Sequence, residues 1–519
     1  METNGRTNGK RGLAEIDRHI WVMSAVFVSG AIMSILDTTI VNVALDTLAR
    51  DFHSSISTIQ WVVTGYMLAL ATVIPLSGWA VERFGSKRVW TTSLALFVLG
   101  SALSGAAWSA GSLIAFRVLQ GFGGGMIMPV GMTMLTRAAG PQRVGRVMSL
   151  VGVPMLLGPV LGPVLGGLLV GVNWRWIFYV NVPIGIAAIA MALRLLPAER
   201  HDHAQKLDLR GFLLLSPGLG ALVYGLAQVA SKGGFKSAPD VISLVVGIGL
   251  IGAFIVHALR VKDRTPLLDL RLFKNTRFSA AAATTACLGA ALFGVMILYP
   301  LYYQLVRGQS ALDAGLLLAP QGLGAAAIMP IAGALSDRKG AGPIVLIGLV
   351  LTVVSSLAFV GLTADTSYAF LVAALFVRGI GLGMTMMPAM SAAFQTLSPE
   401  AVPRATSSLN IIQRVGGSIG TAVLAVILEQ NIASSVPGSG GSISSAGHAG
   451  AIPASVAGQL ADAFSQTFWV ATAITAAAVI PALFLLKSGP TGDAAGDSPS
   501  LSPSEREAER VEEAMVLLD

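Results

Sequence analysis

The chain has a single cysteine, Cys287, which excludes an internal disulfide framework and any cysteine-based metal cluster. Its six histidines are His19, His53, His201, His203, His257 and His448, and none has metal-ligand spacing supported by nearby acids. The His-Asp-His run at 201–203 sits in a polar stretch and reads as solvated. No Gly-x4-Gly-Lys-Ser/Thr run occurs, so nucleotide binding and ATP-driven transport are not expected. The glycines at 121–125 lie inside an apolar segment and fail as a nucleotide loop on context. Charge is scarce: 12% of residues are Asp, Glu, Lys or Arg, against about 25% in an average soluble domain.

What is abundant is apolar length. Hydrophobic residues make up 54% of the chain, and the mean hydropathy is +0.73. The 59 glycines suit helices that pack closely in lipid. Met1 to Arg18 is polar, and the apolar run after it is too long for the core of a cleavable signal peptide, so it reads as a retained first helix. From Ser488 the chain is rich in Ser, Pro, Gly and acid and reads as a disordered tail, or in its last stretch as a short amphipathic helix.

A membrane span needs about 20 mostly apolar residues. Fourteen such stretches are expected, at 20–45, 57–80, 88–108, 111–136, 147–170, 176–196, 211–230, 239–259, 278–305, 312–335, 343–363, 367–395, 406–429 and 466–487. Of the 34 Lys and Arg residues, 26 fall on the N-terminal tail, the alternate loops after it and the C-terminal end, and 5 on the other loops. Arg117, Arg378 and Arg414 lie within spans. Cytoplasmic loops carry the basic excess, so both termini are expected inside a plasma membrane. The formal charge of +7 is then topological and does not indicate nucleic acid.

The sequence repeats itself. GWAVERFGSKR (78–88) and GALSDRKGAGP (333–343) share Gly, three residues, acid, Arg, one residue, Gly, at an offset of 255. GFGGGM from Gly121 and GIGLGM from Gly379 lie 258 apart, as do GPVLG from Gly158 and GGSIG from Gly416. Ordered matches at nearly one spacing argue for two six-helix units, 20–196 and 278–487, the second with an external loop at 430–466. A helix pair (211–230 and 239–259) is inserted with its linkers over 197–277, and tails cover 1–19 and 488–519. Parallel repeats with a midplane cavity between them are the plan of a major facilitator transporter.

LDTTIVNVAL (36–45), IQWVVTGYMLA (59–69), GWAVERFGSKR, RVLQGFGGG (117–125), GPVLGPVLGG (158–167) and WRWIFYVNVPIG (174–185) together resemble the fourteen-span drug:proton antiporters of the major facilitator superfamily. The resemblance covers about 20–487. It implies an all-α membrane protein of the major facilitator fold, with no catalytic activity and no cofactor beyond a proton gradient. It also implies amphipathic drugs or antibiotics as exported cargo. Two positions depart from the family pattern: Asp46 stands where Pro is usual, and Glu82 where Asp is usual.

Asp37 is the only ionisable residue between Trp21 and Leu45. Intramembrane carboxyls are costly and functional by default, so it is either a proton carrier or half of a static ion pair. Arg117 is its candidate partner, with Gln120 one turn further on the same face. The resemblance implies a role for this Arg in proton transfer; helix registry is the alternative. For Glu82, Arg83, Arg88, Asp337 and Arg338, with the turn glycines Gly78 and Gly85, it implies a latch between the halves, besides orientation. For Gly158, Pro159, Gly162, Pro163, Gly166 and Gly167 it implies a hinge that limits proton leak, where packing alone is the plain reading. Asn42, Trp61, Tyr66, Gln120, Met126, Phe293, Gln321, Met384, Asn410 and Gln413 are candidate substrate contacts, and helix-to-helix bonding is their alternative. Tyr299, Tyr302 and Tyr303, late in the ninth span, read as an interfacial belt. Export of one endogenous metabolite, or a transporter-like sensor, are the other functional readings.

Overall fold

The computed structural model describes residues 18–140, 143–197, 206–235, 237–261, 266–435 and 454–486. Most of the expected N-terminal tail, the C-terminal tail and the middle of the long loop lie outside them. Among the described residues all regular structure is helical. The helices are α1 (Arg18–Asp51), α2 (Ile56–Val73), α3 (Leu76–Phe84), α4 (Ser86–Gly105), α5 (Ala110–Ala139), α6 (Val144–Val172), α7 (Trp176–Tyr179), α8 (Asn181–Leu195), α9 (Leu209–Lys232) and α10 (Ala238–Arg260). They continue as α11 (Thr276–Leu301), α12 (Ala311–Lys339), α13 (Ala341–Leu357), α14 (Tyr368–Phe394), α15 (Val402–Ser435), α16 (Ala454–Ala477) and α17 (Val479–Phe484). We call the end of the bundle where α1 begins the near end, and the other the far end.

Ten of these rods are long and apolar enough to cross a membrane, or eleven if α2 and α3, bent by 56° at their junction, form one span. The bend falls at Pro75, whose ring removes a helical donor. Local chemistry sets the other ends. Ser109 and Ser112 make a reciprocal capping box at the start of α5. Asn275 caps α11 through the backbone N–H groups of Arg277 and Phe278. Gly85 (φ 86°) and Gly340 (φ 84°) carry the α3–α4 and α12–α13 turns in a conformation that L side chains resist. The long external loop is shorter than expected, because α15 runs on to Ser435 and α16 begins at Ala454.

The glycine runs set the packing. A Cβ on Gly121 would stand 2.5 Å from the Tyr66 carbonyl of α2, and one on Gly123 would stand 2.5 Å from the Phe97 nitrogen of α4. So α5 wedges closely between two neighbours. Gly379 and Gly381 do the same for α14, against the backbones of Gln321 in α12 and Gly348 in α13. Along α6, Gly158, Gly162 and Gly166 sit at four-residue intervals against Ile35, Thr39 and Val43 of α1, while Gly167 meets nothing within 4 Å. Helix α6 continues unbroken through Pro159 and Pro163. The inserted helices α9 and α10 pack on each other, and α9 bridges α2 and α15.

One expectation is overturned. Tyr299, Tyr302 and Tyr303 do not form an exposed belt; they are 3%, 0% and 0% exposed. A π-helical turn over Tyr302–Val306 carries the last two inward. There they join Phe359, Phe464 and Phe468 in an aromatic cluster near the far end. The Tyr302 hydroxyl is satisfied by the Thr363 carbonyl at 2.9 Å, which lets so polar a group be buried.

Close helix crossings make these glycines intolerant of volume. Gly121→Val or Gly379→Val should destabilise the detergent-purified protein by about 1–3 kcal/mol, the range for overpacking. Gly167→Ala should not destabilise it and should raise stability by up to about 1 kcal/mol, the helix-propensity gain over glycine. Thermal unfolding midpoints, measured side by side, check the contrast.

Candidate functional site

Asp37 lies just past the middle of α1, completely buried. Its Oδ2 accepts from Arg117 Nη1 at 2.6 Å. Its Oδ1 accepts from Gln120 Nε2 at 2.9 Å and from Asn181 Nδ2 at 3.0 Å. Both carboxylate oxygens are therefore engaged by donors from α5 and α8. Arg117, 1% exposed, also donates through Nη1 to Gln120 Oε1 at 2.7 Å and through Nε to the Val62 carbonyl at 3.3 Å. Its guanidinium carbon sits 4.0 Å from the centre of the Tyr66 ring, a cation–π distance. Asn181 is held in turn by Ser101 Oγ at 3.1 Å, which donates to the Phe178 carbonyl at 2.9 Å.

This arrangement is satisfied as an ion pair and poised for change. Removing one partner from a buried pair strands the other charge, at about 3–5 kcal/mol. Arg117 keeps three other contacts if Asp37 lets go: the Val62 carbonyl, the Gln120 amide oxygen and the Tyr66 ring. Asp37 has only neutral amide donors left if Arg117 moves, and these tolerate a protonated acid far better than an isolated carboxylate tolerates burial.

The other sequence-derived candidates divide. Tyr66 and Gln120 join the Asp37 network. Asn410 is buried on α15 and donates to the Thr406 carbonyl at 2.9 Å, with Met132 sulfur of α5 at 3.8 Å. Gln413 is buried on the same helix. Gln321 accepts from Arg378 Nη1 at 3.0 Å, inside the C-terminal helices. Phe293 packs against Gly417 and Met384 against Gly348, while Met126 backs the core around α5. Trp61 is 41% exposed and stacks on Tyr224 of the inserted pair at 5.7 Å. Asn42 is exposed and bonded to its own helix at Thr38. Asp46 is exposed, as its place at a helix C-terminal end requires.

At the near end several contacts join the N-terminal and C-terminal helices, two of them through acids. Asp337, at the end of α12, accepts the backbone N–H groups of Gly145 (2.8 Å) and Arg146 (3.1 Å), with Arg146 Nε at 3.6 Å. A carboxylate there complements the N-terminal dipole of α6. Glu82, at the end of α3, takes a two-pronged bond from Arg404 of α15, at 2.9 and 2.8 Å. On the same α3–α15 crossing the Ser77 and Ser407 hydroxyls meet at 2.7 Å. Each acid stands four residues after a glycine, Gly333 and Gly78. Those glycines let the partner helix close: Gly78 faces the Pro403 carbonyl and Gly333 the backbone of Gly145.

The latch acids were legible in the sequence; their partners were not. Arg83, Arg88 and Arg338 are exposed and form no ion pair among the described residues. Arg146 and Arg404 take that role. They lie 258 apart, so the repeat spacing itself was the signal that would have found them. Asn181, the lone polar residue in FYVNVPIG, was the comparable signal for the third donor to Asp37. The two latches also differ for a reason. Pro403 occupies the place of Gly145 and has no N–H to offer an acid. The longer Glu82 reaches the Arg404 guanidinium instead, which rationalises the departure at that position.

Shortening Glu82 should therefore weaken its latch rather than restore a more usual one. In a Cys287→Ser background, a Ser77→Cys/Ser407→Cys pair reports near-end closure by oxidative cross-linking. Glu82→Asp and Glu82→Gln should each lower the cross-linked fraction, by a shift of about 1–2 kcal/mol or roughly five- to thirtyfold in the closed-to-open ratio. An unchanged yield for Glu82→Asp would contradict the role assigned to Pro403.

Comparison with known proteins places these features. Residues 27–421 match the family model described as Major Facilitator Superfamily. The chain is 41% identical over 485 residues to a "Multidrug resistance protein B homolog" of Mycobacterium tuberculosis (strain ATCC 25618 / H37Rv), covering 89% of both chains. It is 31% identical over 398 residues to "Multidrug export protein EmrB" of Haemophilus influenzae, covering 75% of this chain and 77% of that one. Among solved structures it is similar in fold to the proton:xylose symporter XylE, with TM-score 0.59 at 12% identity, over 90% of this chain and 95% of that one.

Proposed function

The chain belongs to the Major Facilitator Superfamily, and from that premise we propose that it exports amphipathic drugs or antibiotics across the plasma membrane in exchange for protons. Relatives named for multidrug resistance and multidrug export support the cargo. The observation that carries the coupling is Asp37: a buried carboxylate, matched by an arginine that keeps other partners.

We read fourteen spans, adding α4, α6 and α13 to the eleven that length and apolarity select. The matched glycine contacts of α5 with α14, and the matched acids Glu82 and Asp337, support two six-helix repeats with α9 and α10 inserted. The Lys and Arg excess puts the near end, and both termini, in the cytoplasm. Arg83, Arg88 and Arg338 then act as orienting charges.

With both latches engaged the near end is closed, which we assign to the outward-facing state. A proton arriving from outside adds to Asp37, and Arg117 lets go of the carboxyl while keeping its contacts with the Val62 carbonyl, Gln120 and the Tyr66 ring. Loss of the central ion pair and opening of the latches turn the carrier inward. Asp37 then releases the proton to the cytoplasm, Arg117 returns, and cargo bound on that side is carried out. Gly158, Gly162 and Gly166 keep α6 close enough to α1 for this pivot to be felt at Asp37.

Inside-out vesicles energised with a proton gradient test the assignment. Asp37→Asn should abolish gradient-driven efflux, at least a hundredfold loss, while substrate exchange at equilibrium persists. Gradient-driven efflux at the wild-type rate in that variant would sink the proton-carrier role.

A further inference from the structure

One intramembrane cation has no task in that cycle. Arg414 lies on α15, and no hydrogen bond or ion pair reaches it among the described residues. Isolated arginines at membrane depth are expensive and rarely idle. Its direction follows from its neighbours on the helix. Arg404 meets Glu82, Ser407 meets Ser77 and the Ile74 carbonyl, and Asn410 meets Met132, all on N-terminal helices. Steps of three, three and four residues continue that stripe to Arg414, on one helical face. It is the next position on the stripe after the near-end contacts, about 15 Å along the axis from Arg404 at 1.5 Å per residue.

Across the interface its electrostatic neighbour is Tyr66, the ring that carries Arg117 on its face. Arg414 is partly buried on the face of α15 that meets the N-terminal helices. The charges there do not cancel. Asp37 neutralises Arg117, whereas Arg414 has no carboxylate partner among the described residues. Arg378 is separate from it, buried among the C-terminal helices with Nη1 on Gln321 and Nε on Ser356 Oγ. In a low-dielectric cavity such an imbalance focuses a positive field. Met132, Phe293 and Asn410 offer apolar and amide contacts beside it.

Resting on the export reading, we propose that the cavity takes amphipathic organic anions, with the cargo's carboxylate or equivalent acid seated on the Arg414 guanidinium. Cationic amphiphiles are disfavoured there. A consequence follows for energetics. An anion leaving and a proton entering both move positive charge inward, so an inside-negative membrane potential drives the exchange. A monocation exchanged for one proton would move no net charge.

The test uses the full-length protein and a matched pair of probes, pyrenebutyrate and pyrenebutylammonium, with binding read by fluorescence in detergent. Wild type should prefer the carboxylate. Arg414→Gln should weaken pyrenebutyrate binding about tenfold or more, a scale typical of a lost charge-assisted bond, and leave the ammonium probe unchanged or tighter. Arg414→Lys should recover most of the loss. A wild-type preference for the ammonium probe, or equal losses for both probes in Arg414→Gln, would overturn the proposal. In proteoliposomes, an imposed inside-negative potential should accelerate pyrenebutyrate export by the orientation whose near end is inside. Export of the ammonium probe alone would overturn the anion proposal and leave the exporter reading standing. Binding selectivity without transport of either probe would uphold the Arg414 site and count against export.

Discussion

The centre of this protein depends on one ion pair kept away from water. Asp37 and Arg117 meet at 2.6 Å with neither side chain exposed beyond 1%. Such a pair is weak evidence for stability, because desolvation cancels much of its attraction. Its interest for the proposed coupling is that the energetic consequence of breaking it is large and depends on what the separated partners find. Here the partners find different things. The arginine finds a carbonyl, an amide oxygen and an aromatic face. The carboxylate finds only amides, and a proton is its natural substitute for the lost charge.

The surrounding helices serve that geometry. Glycines at 121 and 123 bring α2 and α4 within backbone distance of α5, which sets Tyr66 beneath Arg117 and Ser101 behind Asn181. Far from the pair, the Asp337 and Glu82 contacts join the two groups of helices at the near end. They are related by the internal repeat but are not chemically alike. Asp337 holds a helix N-terminus through backbone N–H groups, and Glu82 holds a guanidinium because Pro403 has removed the equivalent donor. The Asp337 contact adds two backbone N–H bonds at a helix N-terminus to its longer ion pair with Arg146, whereas the Glu82 contact is a two-pronged ion pair.

Much of this was legible in the sequence. Apolar length placed the helices, because a membrane demands uninterrupted apolar runs, and Asp37 stood out as the lone ionisable group in its run. Gly121, Gly379 and the latch acids were marked by the repeat. What escaped was whatever depends on tertiary neighbours. Asn181 is one amide among several, and only the fold brings it to Asp37. Arg404 and Arg146 read as ordinary loop cations until the helix ends are brought together. Tyr302 and Tyr303 were misplaced because a π-helical turn, which periodicity does not announce, carries them inward. Trp61 and Met384 carried suitable side chains but stand against Tyr224 and Gly348, away from the central network.

The central claim is that Asp37 changes its proton as the carrier turns over. Infrared difference spectroscopy on the purified protein addresses it at the level of the bond. Acidification should produce the C=O stretch of a protonated, buried carboxylic acid, and adding transported substrate should remove it with release of a proton to the medium. Both signals should be missing in Asp37→Asn. A band and a proton release that survive that substitution would contradict the account, as would a wild-type protein whose Asp37 remains a carboxylate throughout.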